Sequence, residues 1–395
     1  MAEPADDFGA HLRKHWKLNP DIAYLNHGTV GAPPRRVLEF QRALSDQIED
    51  NPARFLLRGL DDISGTGKPS RMRDALSHVA GFVGCSPDDM AFVDNITAGV
   101  NTVLRSFPFR PGDEIAVTTL GYGGITNAAT FAARASGSNL NTIELPRPGA
   151  EPYEFVEALD RGLTPATRIV VIDHLAATTS LVMPVADMVA ACHAKGVLVL
   201  VDGAHVPGNI PLDIVALGAD WYTANLHKWA WAPRSCGVLW TSPAQQPHLR
   251  PLVTSWGFDN GLAAEFDHPG TRDPSPFLSA PFAIDLMREF GLDAIYTYNH
   301  ELAWWAGQFL AEQWGTTFAA PKPMVGSMVT VPLPTHLGTT VADAERVRAW
   351  LEQAGIEAPA LIRPDGLDVR VSAQIYCDRT DIERLGHAID DFPTA

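Results

Sequence analysis

The sequence has few cysteines, few basic residues relative to acidic ones, and no long apolar run. Its four cysteines, among 395 residues, lie far apart at Cys85, Cys192, Cys236 and Cys377. No CxxC pair is present, so neither a metal centre nor a disulfide scaffold is expected. Thirty basic against 46 acidic residues give a formal charge of -16. Such a surface repels phosphate backbones and anionic lipids, which argues against nucleic-acid and membrane partners.

Features of targeting and repeat proteins are also missing. No stretch reaches the roughly 18 uncharged apolar residues that a membrane-spanning helix needs. The first residues, MAEPADDFGAHLRKHW, lack the apolar centre of a signal peptide. No fixed-period repeat or low-complexity tract occurs. We therefore expect a soluble cytoplasmic protein, long enough for two or three domains.

Short β-branched runs alternate with amphipathic stretches of helix length, which predicts an α/β fold with a mostly parallel sheet. The predicted strands are nearly all apolar and so should be covered on both faces; they span 114–119, 168–173, 197–202, 220–224 and 236–240. Helices are predicted at 33–50 and 185–195, with an ordered loop at 24–29. Helices at 292–314, 341–354 and 381–389, with strands at 326–331 and 367–372, predict a smaller α+β domain. The expected division is an N-terminal segment 1–20, a large domain 21–285 and a small domain 286–395.

Polar residues at the ends of two predicted strands are the first candidates for chemistry, because ligands of open α/β sheets bind at the carboxyl ends of strands. Asp202 and Asp173 each end such a strand, although an aspartate there is often only a helix cap or turn residue. Lys228 follows the next strand, 26 residues after Asp202, among several tryptophans. An apolar setting favours the neutral, nucleophilic amine. The alternative is a lysine whose stem covers aromatic surface while its ammonium group reaches water.

A lysine nucleophile with a strand-end carboxylate is what a pyridoxal phosphate (PLP) site needs, as Schiff-base former and partner of the pyridine nitrogen. Several segments in order make the chain resemble the class V aminotransferase superfamily of fold-type I PLP enzymes, and within it the isopenicillin N epimerase-like group. These segments are YLNHGTVGAPP (24–34), NITAGVN (95–101), GYGGITNA (121–128), DHLAATTSLVMPV (173–185), DGAHVPG (202–208), NLHKW (225–229), GTRDPSP (270–276) and VRVSAQIYC (369–377). The resemblance implies a large PLP-binding domain with a seven-stranded-type sheet and a small C-terminal domain.

The resemblance also implies roles in cofactor binding. Lys228 is expected to form the Schiff base and carry the Cα proton, and Asp202 to bind the pyridine nitrogen. His205 is expected to hydrogen-bond the phenolate oxygen. Tyr122 is expected to stack on the ring, at a position where many relatives have histidine. The expected phosphate contacts are Thr97 and Ala98 at a helix N-terminus, His227, and Thr271 reaching the neighbouring subunit of a homodimer.

The substrate, an amino acid or a derivative of one, needs its own contacts. By resemblance, Arg370 is expected to clamp the substrate carboxylate, for which a guanidinium is well shaped. Arg54 and Arg58 are candidates for a second, distal carboxylate, with simple solvent exposure as the alternative. Asn26 and His27 lie in a segment expected to fold over the substrate side of the ring.

The reaction stays open among several outcomes. An epimerase is the first expectation, and it needs a second acid opposite Lys228, for which Tyr122 or His27 could serve. A β-eliminating C–S lyase or an aminotransferase is the alternative, since neither needs that second group. Cysteine desulfurase activity is disfavoured, because residues 355–366 contain no cysteine and Cys377 lies beyond the Arg370 strand. A nucleotide-binding protein is disfavoured because no Walker or GxGxxG motif follows the early strands.

Overall fold

The computed structural model describes residues 8–61 and 70–393, and the following elements belong to those ranges. The strands are β1 (Ala23–Tyr24), β2 (Met90–Val93), β3 (Glu114–Thr118), β4 (Asn139–Ile143), β5 (Thr167–Asp173), β6 (Leu198–Asp202), β7 (Trp221–Asn225), β8 (Gly237–Thr241), β9 (Met328–Pro332), β10 (Ile356–Glu357), β11 (Ala360–Arg363) and β12 (Gly366–Ser372). The helices are α1 (His27–Val30), α2 (Arg35–Asp50), α3 (Pro52–Arg58), α4 (Arg71–Val83), α5 (Ile96–Ser106), α6 (Gly123–Ser136), α7 (Pro152–Gly162), α8 (Val185–Ala194), α9 (Leu262–Asp267), α10 (Ser275–Phe290), α11 (Leu292–Trp314), α12 (Val341–Gln353) and α13 (Arg379–Asp390).

A seven-stranded sheet forms the centre of the large domain, in the order β2-β8-β7-β6-β5-β3-β4. Strand β8 is antiparallel to both of its neighbours, and the remaining pairs are parallel. Helices α6, α7 and α8 connect the successive strands from β3 to β6, and a longer loop connects β6 to β7. The carboxyl ends of β5, β6 and β7 therefore meet at one edge, in agreement with the predicted α/β fold.

Both faces of this sheet are buried, which explains why its strands are almost continuously apolar. Alternate residues, such as Val170 and Ile172, face a core that includes α4, α7, α8 and α10. Their neighbours Ile169 and Val171 face a second core formed with α5 and α6. A one-residue change of register would exchange these two sets, so the packing of the helices also fixes the strand register.

The small domain is built around a three-stranded antiparallel sheet, in the order β11-β12-β9. Helices α11, α12 and α13 pack against this part of the chain. Strand β1, from the N-terminal region, pairs in parallel with β10. The backbone N–H of Gly9 also donates to the carbonyl of Ile375, 2.8 Å away. The N-terminal segment therefore packs on the small domain and brings residues 26–31 to the boundary between the two domains.

The predicted elements agree with the structure to within a few residues, and α11 has the predicted limits. The segment 24–29 contains the end of β1 and most of the short helix α1, where a loop was expected. Two strands of the large sheet, β2 and β4, were not predicted. Within the described ranges, no helix has both the length and the apolar character that crossing a membrane requires.

Candidate active site

A cavity of about 250 Å³ opens at the carboxyl ends of β5, β6 and β7. It is bounded by the strand ends of the large domain, the N-terminal segment and a strand of the small domain. The residues that line it are Gly28, Thr29, Asn95, Ile96, Thr97, Tyr122, Asp173, Ala177, Asp202, Ala204, His205, Asn225, Lys228 and Arg370. The fold thus brings together residues that are more than 300 positions apart in the sequence.

Lys228 lies three residues after β7, and its amino group faces this cavity. Burial lowers its pKa to about 8, an effect that the nearby charge of Asp202 opposes and that of Arg370 reinforces. Its Nζ is 3.2 Å from Nε2 of His205. At neutral pH a useful fraction of the amine is therefore unprotonated and able to act as a nucleophile or base.

Two carboxyl groups end adjacent strands at the floor of the cavity. Asp202 on β6 is paired in register with Asp173 on β5, and both are buried. One oxygen of Asp202 accepts the backbone N–H of Ala204 at 2.9 Å. Burial raises the pKa of Asp202 to about 6, and burial together with the charge of Asp202 raises that of Asp173 well above its usual range. The site therefore favours a cationic group beside Asp202.

His205 occupies the cavity wall between Lys228 and Trp229. Its Nε2 faces Lys228, and its Nδ1 accepts the indole N–H of Trp229 at 3.4 Å. Burial, with the positive charges of Lys228 and Arg370, lowers the pKa of His205 well below its usual value. The imidazole is therefore neutral at physiological pH.

The N-terminus of α5 points at the cavity, and its first N–H groups are used unequally. Asn95 caps the helix by accepting the N–H of Ala98 at 3.0 Å, and the side chain of Asn225 accepts the N–H of Ile96 at 2.9 Å. Thr97 lines the cavity, and neither its N–H nor its hydroxyl has a partner in the part of the chain that the structure describes. Thr97 is thus available to an anion, whereas the N–H of Ala98 is occupied by the cap.

Arg370 reaches the cavity from β12 and is 6% exposed. Its Nη2 donates to the hydroxyl of Thr29 at 2.6 Å, and its Nη1 donates to the carbonyl of Ala177 at 2.8 Å. Its buried Nε has no partner, and among the described residues no carboxylate forms an ion pair with it. Burial lowers the pKa of Arg370 to about 10. A buried cation held only by neutral oxygens is a strong site for an incoming carboxylate.

The segment 26–31 lies directly against the lysine loop. A Cβ on Gly31, whose φ is +68°, would come within 1.9 Å of the carbonyl oxygen of His227, so only glycine allows this approach. His27 is fully buried below the cavity, with Nδ1 2.8 Å from the Tyr376 hydroxyl and Nε2 3.0 Å from the Lys228 carbonyl. Both ring nitrogens are therefore occupied, and His27 does not line the cavity.

Several residues that were predicted to belong to the site do not line the cavity. Asn26 binds Glu357 through its amide nitrogen at 2.8 Å and accepts the hydroxyl of Thr29, so it supports Arg370 from outside the cavity. His227 directs Nδ1 to the carbonyl of Cys236 at 2.9 Å. Arg54 and Arg58 are exposed on α3, away from the cavity lining. Thr271 is exposed beside a separate surface depression.

Sequence reasoning did not identify Thr29, Asn95 and Asn225 as members of the site. Asn95 and Asn225 stand at the end of a loop and a strand, where a polar residue is a signal for the site edge. Thr29 had no comparable signal, because its role depends on a contact with Arg370, 341 residues away. Tyr122, which was predicted, does line the cavity and is 53% exposed.

The fold and the cavity define an α/β protein whose buried lysine follows a strand of a mostly parallel sheet. The model of the family "Aminotransferase class-V" matches residues 33–385, and the chain belongs to this family. This membership confirms the predicted superfamily, the prediction of an enzyme, and the predicted cofactor, pyridoxal phosphate.

Curated relatives and solved structures extend the comparison. The chain is 32% identical to a probable chloroplastic L-cysteine desulfhydrase of Arabidopsis thaliana, over 94% of this chain and 83% of the relative. It is also 32% identical to an isopenicillin N epimerase of Streptomyces clavuligerus, over 94% and 95% of the two chains. A lysine-to-alanine variant of the protein C-DES, with glycine covalently linked to its PLP cofactor, superposes with a TM-score of 0.79 at 22% identity, covering 96% and 99%. The predicted fold-type I architecture is thereby confirmed.

Proposed function

We propose that this protein is a pyridoxal phosphate enzyme that acts at the Cα of an amino acid or a derivative of one, with Lys228 as the proton carrier. One observation carries the proposal. The amine of Lys228, with a pKa lowered to about 8, shares a single cavity with the buried carboxyl of Asp202 and with the Arg370 guanidinium, which has no carboxylate partner among the described residues. The amine of Lys228 can react with a carbonyl group, the carboxyl of Asp202 can bind a cationic ring, and the guanidinium of Arg370 can bind a substrate carboxylate.

The free polar groups of the cavity fit this cofactor. Asp202 would hold the ring nitrogen, since it is a buried carboxyl with one oxygen not used by the Ala204 N–H. His205 would face the phenolate oxygen, and Tyr122 would cover the ring. Thr97 would bind the phosphate through its unused N–H and hydroxyl. We infer no direct phosphate contact from Ala98, because Asn95 already accepts its N–H.

Pyridoxal phosphate, when bound, supplies an electron-withdrawing ring that stabilises negative charge at the substrate Cα. The chain's own residues do the rest. Arg370 binds the substrate carboxylate through its fork and so orients the bonds at Cα, and the hydroxyl of Thr29 keeps the guanidinium in place. Neutral Lys228 accepts the Cα proton, because burial has removed the stabilising water from its ammonium form.

We favour β-elimination of a sulfur leaving group as the reaction. Elimination requires one proton carrier: the Cα–H and Cβ–S bonds break, and the proton is passed to the sulfur, which leaves as a thiol. Water then hydrolyses the remaining unsaturated amine to a keto acid and ammonium. Lys228 meets this requirement alone. Epimerisation needs a second acid as well, and of the two candidates only Tyr122 remains, because His27 is buried outside the cavity with both nitrogens bonded and a pKa lowered by burial to about 4. The 32% identity to a desulfhydrase supports the same choice.

Epimerisation remains the second candidate, because the phenol of Tyr122 lines the same cavity and is open to it. The identity to an isopenicillin N epimerase supports this candidate. Persulfide chemistry has less support. All four cysteines lie in the described ranges, none lines the cavity, and burial raises the pKa of Cys377 far above its usual value. A buried thiol of this kind is inert.

The proposed reactions are separated by their products. The purified enzyme, loaded with PLP, is incubated with L-cysteine, S-substituted cysteines and other L-amino acids. Elimination releases thiol and keto acid in equal amounts, and epimerisation yields the D-epimer alone. Transamination yields keto acid without thiol, and it turns over only when a second keto acid is added as the amino-group acceptor. Lys228→Ala should abolish all turnover, and borohydride reduction should leave a pyridoxyl group on Lys228 in the wild type. The control Lys322→Ala, at a surface lysine, should be unaffected. Full activity of Lys228→Ala would overturn the proposal.

Tyr122 distinguishes the two leading candidates. Tyr122→Phe keeps the ring and removes the hydroxyl, so epimerisation should fall by roughly 100-fold, the usual cost of losing a general acid. The rate of elimination should change by less than about threefold, since the phenyl ring of phenylalanine still packs on the cofactor. Tyr153→Phe, at a tyrosine that is 61% exposed on α7, is the matched control.

We also propose that the working form is a homodimer. Thr271 is exposed and lies outside the Lys228 cavity, in a depression shared with Leu252 and Val253, which are 43% and 56% exposed. Apolar side chains beside an unused threonine suit contact with a second copy, whose phosphate site Thr271 would complete. Light scattering of the holoenzyme tests the dimer, and a monomer at micromolar concentration would contradict it.

A further inference from the structure

Trp229, the residue directly after Lys228, makes a hydrogen bond that restricts the protonation of His205. Its side chain is fully buried, and its indole N–H donates to Nδ1 of His205 at 3.4 Å. An indole nitrogen can only donate, so Nδ1 must be the acceptor and must lack a proton. A neutral imidazole carries one proton, which then has to reside on Nε2.

The same tautomer fits the other side of the ring. Nε2 of His205 lies 3.2 Å from Nζ of Lys228. An Nε2–H group can donate to the lone pair of a neutral amine but not to an ammonium group. In the alternative tautomer, Nδ1–H and the indole N–H would face each other, and one buried donor would lose its partner.

We propose that Trp229 is a positioning residue, which fixes His205 as the Nε2–H tautomer so that this nitrogen donates to neutral Lys228 and, in the loaded enzyme, to the cofactor's phenolate oxygen. The hydrogen bond to the cofactor rests on the proposed function. The tautomer of His205 in the cofactor-free protein does not depend on that function.

Other groups act on the pair and have to be held constant in a test. Asp202 on β6 and Arg370 on β12 act on Lys228 through their charges, and Arg370 also acts on His205. His27 packs against the Trp229 ring at 5.0 Å between centroids. Trp229→Phe removes the N–H donor and leaves all of these groups in place.

Nitrogen NMR of the cofactor-free protein, with ¹⁵N-labelled histidine, reads the tautomer directly. The wild type should show His205 protonated on Nε2, with the signal assigned by its loss in His205→Gln. In Trp229→Phe we expect a mixed or Nδ1-protonated ring. Trp314→Phe is the matched control, because Trp314 is also buried and donates its indole N–H, to the carbonyl of Gly386 at 3.2 Å. An Nδ1–H ring in the wild type, or an unchanged Nε2–H ring in Trp229→Phe, would overturn the proposal.

Cofactor attachment gives a second readout that does not depend on turnover. Covalent attachment of PLP to the cofactor-free protein needs the neutral amine of Lys228. Without the Trp229 donor, Nε2 of His205 can accept a proton from the ammonium form, so that form persists to higher pH. The pH of half-maximal attachment rate should rise by about one unit, a tenfold change in neutral lysine at a given pH.

The outcomes of these experiments separate the two proposals. An unchanged or lowered midpoint in Trp229→Phe contradicts the positioning role. Failure of the wild type to attach PLP at any pH contradicts the proposed function, while the NMR result on the tautomer stands. If Trp229→Phe does not fold, 3-benzothienylalanine at position 229 keeps the bicyclic shape without the N–H, and the same two readouts apply.

Discussion

The carboxyl groups of Asp173 and Asp202 end two adjacent parallel strands in direct register, at the floor of one cavity. Two buried anions this close would repel each other strongly, so one of the two keeps its proton. The N–H of Ala204 and the charge of Lys228 stabilise the anion of Asp202. Asp202 therefore ionises first, and Asp173 remains neutral.

This asymmetry predicts different effects of the same substitution. Asp173→Asn resembles the protonated acid and should change PLP affinity by less than about threefold. In the proposed complex, Asp202→Asn leaves the ring nitrogen without its anion, and breaking this buried ion pair should lower PLP affinity by roughly 100-fold or more. Fluorescence titration of the cofactor-free proteins measures both constants. Equal losses, or a larger loss in Asp173→Asn, would show that the proton resides on the other carboxyl.

Replacement of Arg370 by lysine should weaken substrate binding, because the positive charge alone does not replace the guanidinium group. Lysine at this position keeps the charge but has no planar fork, so KM of Arg370→Lys should rise by roughly 10- to 100-fold, the value of a charge-assisted hydrogen bond. Steady-state kinetics with the best amino-acid substrate measure this. Arg363→Lys on the neighbouring strand is the control, because Arg363 pairs with Asp365 and Asp368 away from the cavity. A KM within twofold of the wild type would remove Arg370 from the substrate site.

The hydroxyl of Thr29 links Arg370 to Asn26, since it accepts from the guanidinium and donates to the Asn26 amide oxygen. Thr29→Ala leaves another buried donor of Arg370 without a partner, which should lower kcat/KM by roughly tenfold. Thr29→Ser keeps the hydroxyl and should stay within about threefold of the wild type. If serine is as harmful as alanine, the methyl group and not the hydroxyl is what matters at this position.

The strands and helices could be predicted well wherever one local pattern decided them. The runs that became β5 and β6 are apolar on both faces, and the amphipathic pattern of 292–314 extends to both ends of α11. Strand β4, Asn139–Ile143, is a polar edge strand that only its parallel pairing with β3 reveals. The site is harder to predict in the same way. The sequence NITA indicates the start of a helix. It does not show that the Asn95 side chain accepts the N–H of Ala98 and leaves that of Thr97 free.

The burial of His27 should make the free energy of unfolding depend on pH. Burial lowers its pKa to about 4 in the folded protein, against about 6.5 in the unfolded chain. The unfolded state therefore binds more protons between these values. The contribution of neutral His27 to the free energy of unfolding is fully present above pH 6.5 and is lost as the pH falls towards 4. The loss amounts to about 3 kcal/mol. The buried carboxyls Asp173 and Asp202 act in the opposite sense, so the wild type has to be compared with a variant.

His27→Gln removes the titrating group, and Tyr376→Phe removes only its hydrogen-bond partner. Urea unfolding between pH 4 and 8 should show the stability difference between wild type and His27→Gln shrinking by about 3 kcal/mol as the pH falls. Tyr376→Phe should lose about 1–3 kcal/mol at every pH, because it leaves a buried nitrogen unpaired without removing the titration. The remaining buried histidines and the two carboxyls are common to all three proteins and cancel in these differences. A difference between wild type and His27→Gln that stays constant over this range would mean that the pKa of His27 is the same in the folded and unfolded states, which would contradict the effect of burial.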